Sequence, residues 1–217
     1  MTGFDDKGMF KMRPYLVVKR IIDFIFALIL LIALSPIMLL AAIMIKRDSQ
    51  GPVLFKQKRP GKDAKKFLIY KFRTMRVETD KDDKPLSNVE RITKVGSFLR
   101  KTSIDELPQL FNIVIGEMSF IGPRPLLLEY LEYYSPEQKR RHEVTPGISG
   151  WAQVNGRNAL SWEEKFKLDV WYVDNQSFFL DLKILLLTIY NVLKRKEINN
   201  SSRDTMPIFR GNSEKTM

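Results

Sequence analysis

The sequence predicts an α+β fold, mainly helical, with a re-entrant membrane helix hairpin broken at Ser35-Pro36, amphipathic interfacial helices and a small β-hairpin. Three observations predict it. Residues Phe24 to Ile45 carry no charge, and about 20 such residues are enough to reach across a bilayer. Two short strand-like runs, Val53-Leu54-Phe55 and Phe67 to Tyr70, flank the turn signal Pro60-Gly61. Much of the remainder spaces its apolar residues at helical period.

Taken in order, residues 1–18 are mixed and form a lead-in, and residues 19–50 hold the membrane helix. Pro36 removes a backbone donor and clashes with the preceding turn, so the helix should bend there. A carbonyl freed in lipid is costly, and the hydroxyl of Ser35 is one way to satisfy it. Lys19-Arg20 precede the apolar run and Lys46-Arg47 follow it. Basic residues favour the cytoplasmic side. With both flanks basic, a hairpin that enters and leaves by one face fits better than a straight span. An ordinary spanning helix with a proline kink is the competing reading.

Residues 51–196 form the main folded domain. After the hairpin, the charged stretch Val77 to Glu90 reads as a mobile loop. Thr93 to Met118 is helical with a break near Thr102-Ser103. Gly122-Pro123-Arg124-Pro125 is rigid and non-helical. Two short helices follow at 126–134 and 135–143, and GISGWAQVNGR is Gly-rich and irregular. Ser161 and Glu164 form a capping box that opens a helix to Val173. Phe178 to Lys196 is apolar with a basic end, suited to a core helix or to one lying in a membrane interface. Residues 197–217 read as a polar, unstructured tail.

Composition narrows the chemistry. The formal net charge is +11, which favours an anionic partner such as nucleic acid, anionic lipid or a phosphorylated substrate. There is no cysteine and one histidine, His142. Thiol nucleophiles and multi-histidine metal sites are thereby excluded, leaving carboxylates, lysines and arginines. A carboxylate site facing phosphates usually recruits a hard cation such as Mg²⁺.

The segment RKTSIDELPQL, Arg100 to Leu110, places Asp105-Glu106 just before Pro108. Proline is tolerated in a first helical turn, and Ser103 with Glu106 fits a capping box, so the acidic pair should stand at a helix N-terminus. The helix dipole favours ionised carboxylates there. An ionised Asp105 is a usable nucleophile or Mg²⁺ ligand. Acidic helix caps are common, so the pair gains weight only from its cationic surroundings. Lys71 and Arg73 lie in YKFRTM, Arg100 lies nearby, and Arg124 is fixed between prolines as a phosphate clamp. Arg157 and Asp169 are weaker candidates for nucleotide-sugar contact or support.

These motifs carry a resemblance. From about Lys19 to Lys194 the chain resembles the monotopic bacterial phosphoglycosyl transferases, the bacterial sugar transferase family. The match runs through KRIIDF, Ser35-Pro36, FKQKRPG, YKFRTM, RKTSIDELPQL, GEMSFIGPRP, HEVTPGISGWAQVNGR and LDVWYVDNQSF. The resemblance implies a re-entrant helix broken at Ser35-Pro36 and a monotopic protein of the cytoplasmic (inner) membrane, with its catalytic part on the cytoplasmic face. It implies Asp105 as nucleophile, Glu106 as its partner and Mg²⁺ held by Asp105. The implied donor is a UDP-sugar and the acceptor is undecaprenyl phosphate. UMP leaves, an aspartyl phosphosugar forms, and the lipid phosphate then takes the sugar phosphate. Such a reaction opens the membrane stage of a glycoconjugate or exopolysaccharide pathway. The chain lacks the extra N-terminal membrane helices of longer members and looks like a minimal catalytic form.

Three rivals compete. A nucleic-acid-binding protein suits the charge but not the apolar run, and no recognised motif supports it, so no nucleic-acid partner is expected. A membrane scaffold predicts no dependence on Asp105. A ternary-complex transferase predicts no covalent intermediate. Sugar identity and oligomeric state, a homodimer included, are left open.

Overall fold

The computed structural model describes residues 14–76, 87–156, 159–194 and 208–211. Helix α1, Pro14–Asp48, contains Pro36 and continues through it. It begins a few residues before the expected membrane segment. Proline at position 36 has no N–H to give to the carbonyl of Ile32. The Ser35 hydroxyl donates to that carbonyl instead, at 2.8 Å, so the missing backbone bond is replaced by a side chain one residue away.

One face of α1 lies along the rest of the fold. Lys19, Asp23, Ala27, Ala41 and Ile45 are buried at helical spacing. Ala27 packs with Leu110 and Ile113, and Ala41 and Ile45 pack with Phe72 and Leu99. The opposite face is exposed and apolar, including Phe26, Ile32 and Leu39. The N-terminal flanking charges are used internally. Lys19 is ion-paired with Asp181 at 2.6 Å. Arg20 donates to the carbonyls of Ile113 and Val114.

The β-hairpin is formed by β1, Leu54–Pro60, and β2, Lys66–Phe72, in antiparallel register. Helix α2 is Asn88–Arg91, and α3, Lys94–Lys101, is capped by Thr93. A side chain at Gly96 would collide with the carbonyl of Thr74, so glycine lets α3 lie directly on the strand exit. The expected break falls at Ser103, whose φ is 57°. The capping box predicted at Ser103 does not form, because a left-handed residue cannot supply the extended N-cap geometry. A short 3₁₀ turn, Ile104–Glu106, precedes α4, Gln109–Ile115.

Beyond α4, β3 (Ser119–Ile121) pairs in parallel with β4 (Gly147–Ser149), a pairing the irregular GISG sequence did not announce. Between them lie a 3₁₀ turn at Leu128–Glu132 and α5, Pro136–Lys139. Helix α6 is Trp151–Val154. Helix α7, Trp162–Asn175, opens with the predicted Ser161–Glu164 capping box. Helix α8, Phe178–Leu193, exposes Phe179, Leu186 and Ile189.

The expected loop at 77–90 and tail at 197–217 fall largely outside the described residues. Part of the tail is ordered, contrary to expectation. Phe209 is buried against Tyr130, Tyr134 and Phe166, because an aromatic side chain inserted there completes an apolar cluster.

Candidate active site

The acidic pair is set by the junction of β2, α3 and α4. Asn112 on α4 is fully buried and behaves like a strand neighbour. Its amide accepts from the Tyr70 N–H at 3.2 Å and donates to the Leu68 carbonyl at 2.7 Å. This fixes α4, and the turn before it, against β2. Lys71, the next residue of β2, then meets Glu106.

Lys71 Nζ and Arg124 Nη2 both donate to the same Glu106 oxygen at 2.6 Å. Burial opposes ionisation of Glu106, but Arg124 and Lys71 outweigh it and bring its pKa down to about 2. Asp105 differs. It is half-buried and has no hydrogen-bond or ion-pair partner among the described residues. Burial, then the neighbouring Glu106 charge, raise its pKa, opposed by Lys71, Arg100 and Arg124. One carboxylate is held by two cations, and the one beside it is uncommitted.

Arg124 follows β3 in the Gly122-Pro123-Arg124-Pro125 loop. Gly122 N–H donates to the Ser149 carbonyl at 2.8 Å, and Gly147 N–H to the Pro123 carbonyl at 3.0 Å. A side chain on Gly147 would collide with Gly122 backbone, so this close approach needs glycine. From the other side, Arg141 donates to the Arg124 carbonyl at 2.7 Å. Arg141 is itself gripped by Asp169 through Nε at 3.0 Å and Nη2 at 2.7 Å.

The predicted residues therefore divide. Asp105, Glu106, Lys71 and Arg124 come together. Arg100 is exposed beside them, donates to the Thr74 hydroxyl at 2.9 Å and is close enough to lower the Asp105 pKa. Arg73 stands apart from the expected phosphate site. It is buried and donates to the carbonyls of Ser49 and Gln50, closing the C-terminal end of α1. Asp169, a candidate for nucleotide-sugar contact or support, is buried and touches the Arg124 loop only through Arg141. Arg157 lies outside the described residues. Asn112 and Arg141 were missed, since a lone Asn in an apolar helix and one Arg of a basic run carry no motif.

The donor set bears on a metal. Among the described residues no three carboxylate or imidazole groups converge, so a protein-only cage is absent from them. Mg²⁺ is commonly bound by one or two carboxylates plus substrate phosphates. Asp105, with its oxygens uncommitted, fits that arrangement.

The family model for bacterial sugar transferases matches residues 14–195. The chain is 51% identical over 199 residues to the uncharacterized sugar transferase EpsL of Bacillus subtilis (strain 168), covering 92% of this chain and 98% of that one. It is 43% identical over 186 residues to the UDP-glucose:undecaprenyl-phosphate glucose-1-phosphate transferase of Klebsiella pneumoniae, 81% of this chain and 40% of that protein. It is 40% identical over 193 residues to the galactosyl transferase CpsE of Streptococcus agalactiae serotype III (strain NEM316), 82% of this chain and 43% of that protein. The chain thus spans about two-fifths of the length of these last two relatives.

Proposed function

Because the chain belongs to the bacterial sugar transferase family, we propose that it moves a sugar 1-phosphate from a UDP-sugar to undecaprenyl phosphate, releasing UMP. The observation that carries this reading is the uncommitted Asp105 carboxylate beside a Glu106 locked by Lys71 and Arg124.

In the first half-reaction an Asp105 oxygen attacks the β-phosphorus. The bond from that phosphorus to the bridging oxygen breaks, and UMP departs with the electron pair. In the second, an oxygen of the lipid phosphate attacks the same phosphorus, the acyl-phosphate bond breaks, and Asp105 returns as carboxylate. Lys71, Arg124 and Arg100 offset the repulsion between anionic nucleophile and anionic substrate. Glu106 fixes the first two of these cations without sharing the Asp105 position. Mg²⁺, held by Asp105 and substrate phosphates, would neutralise phosphoryl charge. A covalent route lets a water-soluble donor and a lipid acceptor use one site in turn.

The membrane reading rests on the exposed apolar faces of α1 and α8. A spanning helix puts its ends on opposite sides of the bilayer. Here Ala27 and Ile45, on either side of Pro36, pack against one and the same domain. That favours a helix that dips into one leaflet and returns, with the domain on the cytoplasmic face of the inner membrane. The place in metabolism is the first membrane step of a glycoconjugate or exopolysaccharide pathway. A homodimer is compatible with this arrangement. The test is UMP release by purified protein with a panel of UDP-sugars and undecaprenyl phosphate, with and without Mg²⁺. Sustained turnover that needs donor, lipid and the metal, with release limited to about one UMP per enzyme when lipid is left out, supports the proposal. No release with any donor overturns it.

A further inference from the structure

Arg59 on β1 lies outside the set described so far. In the hairpin register it opposes Phe67, Gln57 opposes Ile69, and Phe55 opposes Lys71. Directly opposed residues share a face and every second residue returns to it. Gln57, Arg59 and Lys71 therefore rise from one face of the hairpin. Backbone positions four residues apart along a strand are about 13 Å apart, a gap that long side chains can close. The far end of the row is tied to the Arg124 loop. His142 Nδ1 lies 3.3 Å from the Gly61 carbonyl, and its neighbour Arg141 binds the Arg124 carbonyl.

The state of the guanidinium is unusual. One amino group donates to Gln57 Oε1 at 2.6 Å. Its Nε is buried with no hydrogen-bond partner. No carboxylate among the described residues lies within ion-pair distance of it. Burial and then the nearby Arg124 charge depress its pKa, outweighing the opposing pull of Tyr130, Glu129 and Tyr134. The other cations here differ: Lys71 and Arg124 share Glu106, and Arg141 has Asp169. A half-buried cation with no ion pair in contact, beside a second guanidinium, is an unfavourable arrangement unless an anion completes it.

We propose that Arg59 binds a second phosphate group, next to the phosphoryl group that reacts at Asp105. The inference rests on the phosphotransfer reading above. Two sources share this chemistry: the departing nucleotide monophosphate and the incoming lipid phosphate.

The experiment compares wild-type, Arg59→Gln and Arg59→Lys full-length protein in detergent or nanodiscs. UMP binding is measured by calorimetry. The phosphosugar enzyme, preformed with donor, is then chased with undecaprenyl phosphate. If the nucleotide is the source, Arg59→Gln weakens UMP binding by about tenfold or more, Arg59→Lys recovers part of it, and the chase is unaltered. If the lipid is the source, the chase needs about tenfold more lipid phosphate and UMP binding is unaltered. In both cases the thermal midpoint holds or rises, because an unpaired charge has been removed. Unchanged UMP binding together with an unchanged chase overturns the proposal, as does a fall in thermal midpoint with both arms lost. Absence of any turnover by wild-type protein points instead to failure of the phosphotransfer reading. The UMP-binding arm still judges Arg59 in that case.

Discussion

Two carboxylate–arginine clusters sit on either side of the Arg124 loop, and they are built in opposite ways. Asp169 and Arg141 are both buried, are bound through two guanidinium nitrogens, and leave nothing for a ligand. Asp105, Glu106, Lys71 and Arg124 are partly open, and one member of the set is uncommitted. The closed cluster holds backbone in place, and the open one presents charge. The same contrast recurs between adjacent residues. Glu106 is more readily ionised in the fold than in the unfolded chain. It adds stability above its ordinary pKa of 4.5 that is lost as pH falls toward about 2. Asp105 has a raised pKa, so the folded state binds its proton more tightly. Its contribution to stability declines as pH rises from its ordinary 3.8 through the folded value.

The largest expected effect separates the two clusters outright. Asp105→Asn should lower UMP release by at least about 10⁴-fold, as loss of a nucleophile does. The thermal midpoint at neutral pH should hold or rise, since an unfavourable buried charge is gone. Loss of folding would place Asp105 with the closed cluster instead. Arg141→Ala should do the reverse. Leaving Asp169 buried and unpaired should cost about 3–5 kcal/mol of stability by denaturant unfolding. Stability equal to wild type would contradict the role given to this pair.

How much of this was legible beforehand follows the same divide. The apolar run, the hairpin, the break at Ser103 and the α7 capping box depend on neighbours in sequence, and they were readable. So was the acidic pair, because Pro108 and the surrounding basic residues mark it locally. The grip of Asn112 on β2, the Arg141–Asp169 lock and the parallel β3–β4 pairing join residues far apart in the chain. Nothing in their local sequence distinguishes them from ordinary surface or core positions. Arg73 shows the converse error: its motif pointed to phosphate, but its two terminal amino groups are taken by carbonyls at the end of α1.

Smaller changes sharpen the comparison. Arg124→Lys keeps the charge but loses the planar fork, and should lower kcat roughly 100-fold with little change in thermal midpoint. A kcat within twofold of wild type would remove Arg124 from the reacting set. Glu106→Gln removes a like charge from beside Asp105. Activity requires ionised Asp105, so the acid limb of the pH–rate profile, set above the ordinary 3.8 in wild type, should move to lower pH. A limb that stays or moves upward would mean that another group sets it. Smallest is Ser35→Ala, which leaves the Ile32 carbonyl without its substitute donor. It should reduce stability by about 1 kcal/mol in detergent, and no change would mean that packing alone carries the helix through Pro36.

The most direct measurement is the intact mass of protein incubated with a UDP-sugar and Mg²⁺ in the absence of lipid. The account predicts a gain equal to one sugar phosphate, mapped to Asp105, absent from Asp105→Asn and discharged by undecaprenyl phosphate. Turnover with no such adduct, and UMP released only once lipid is added, would contradict it.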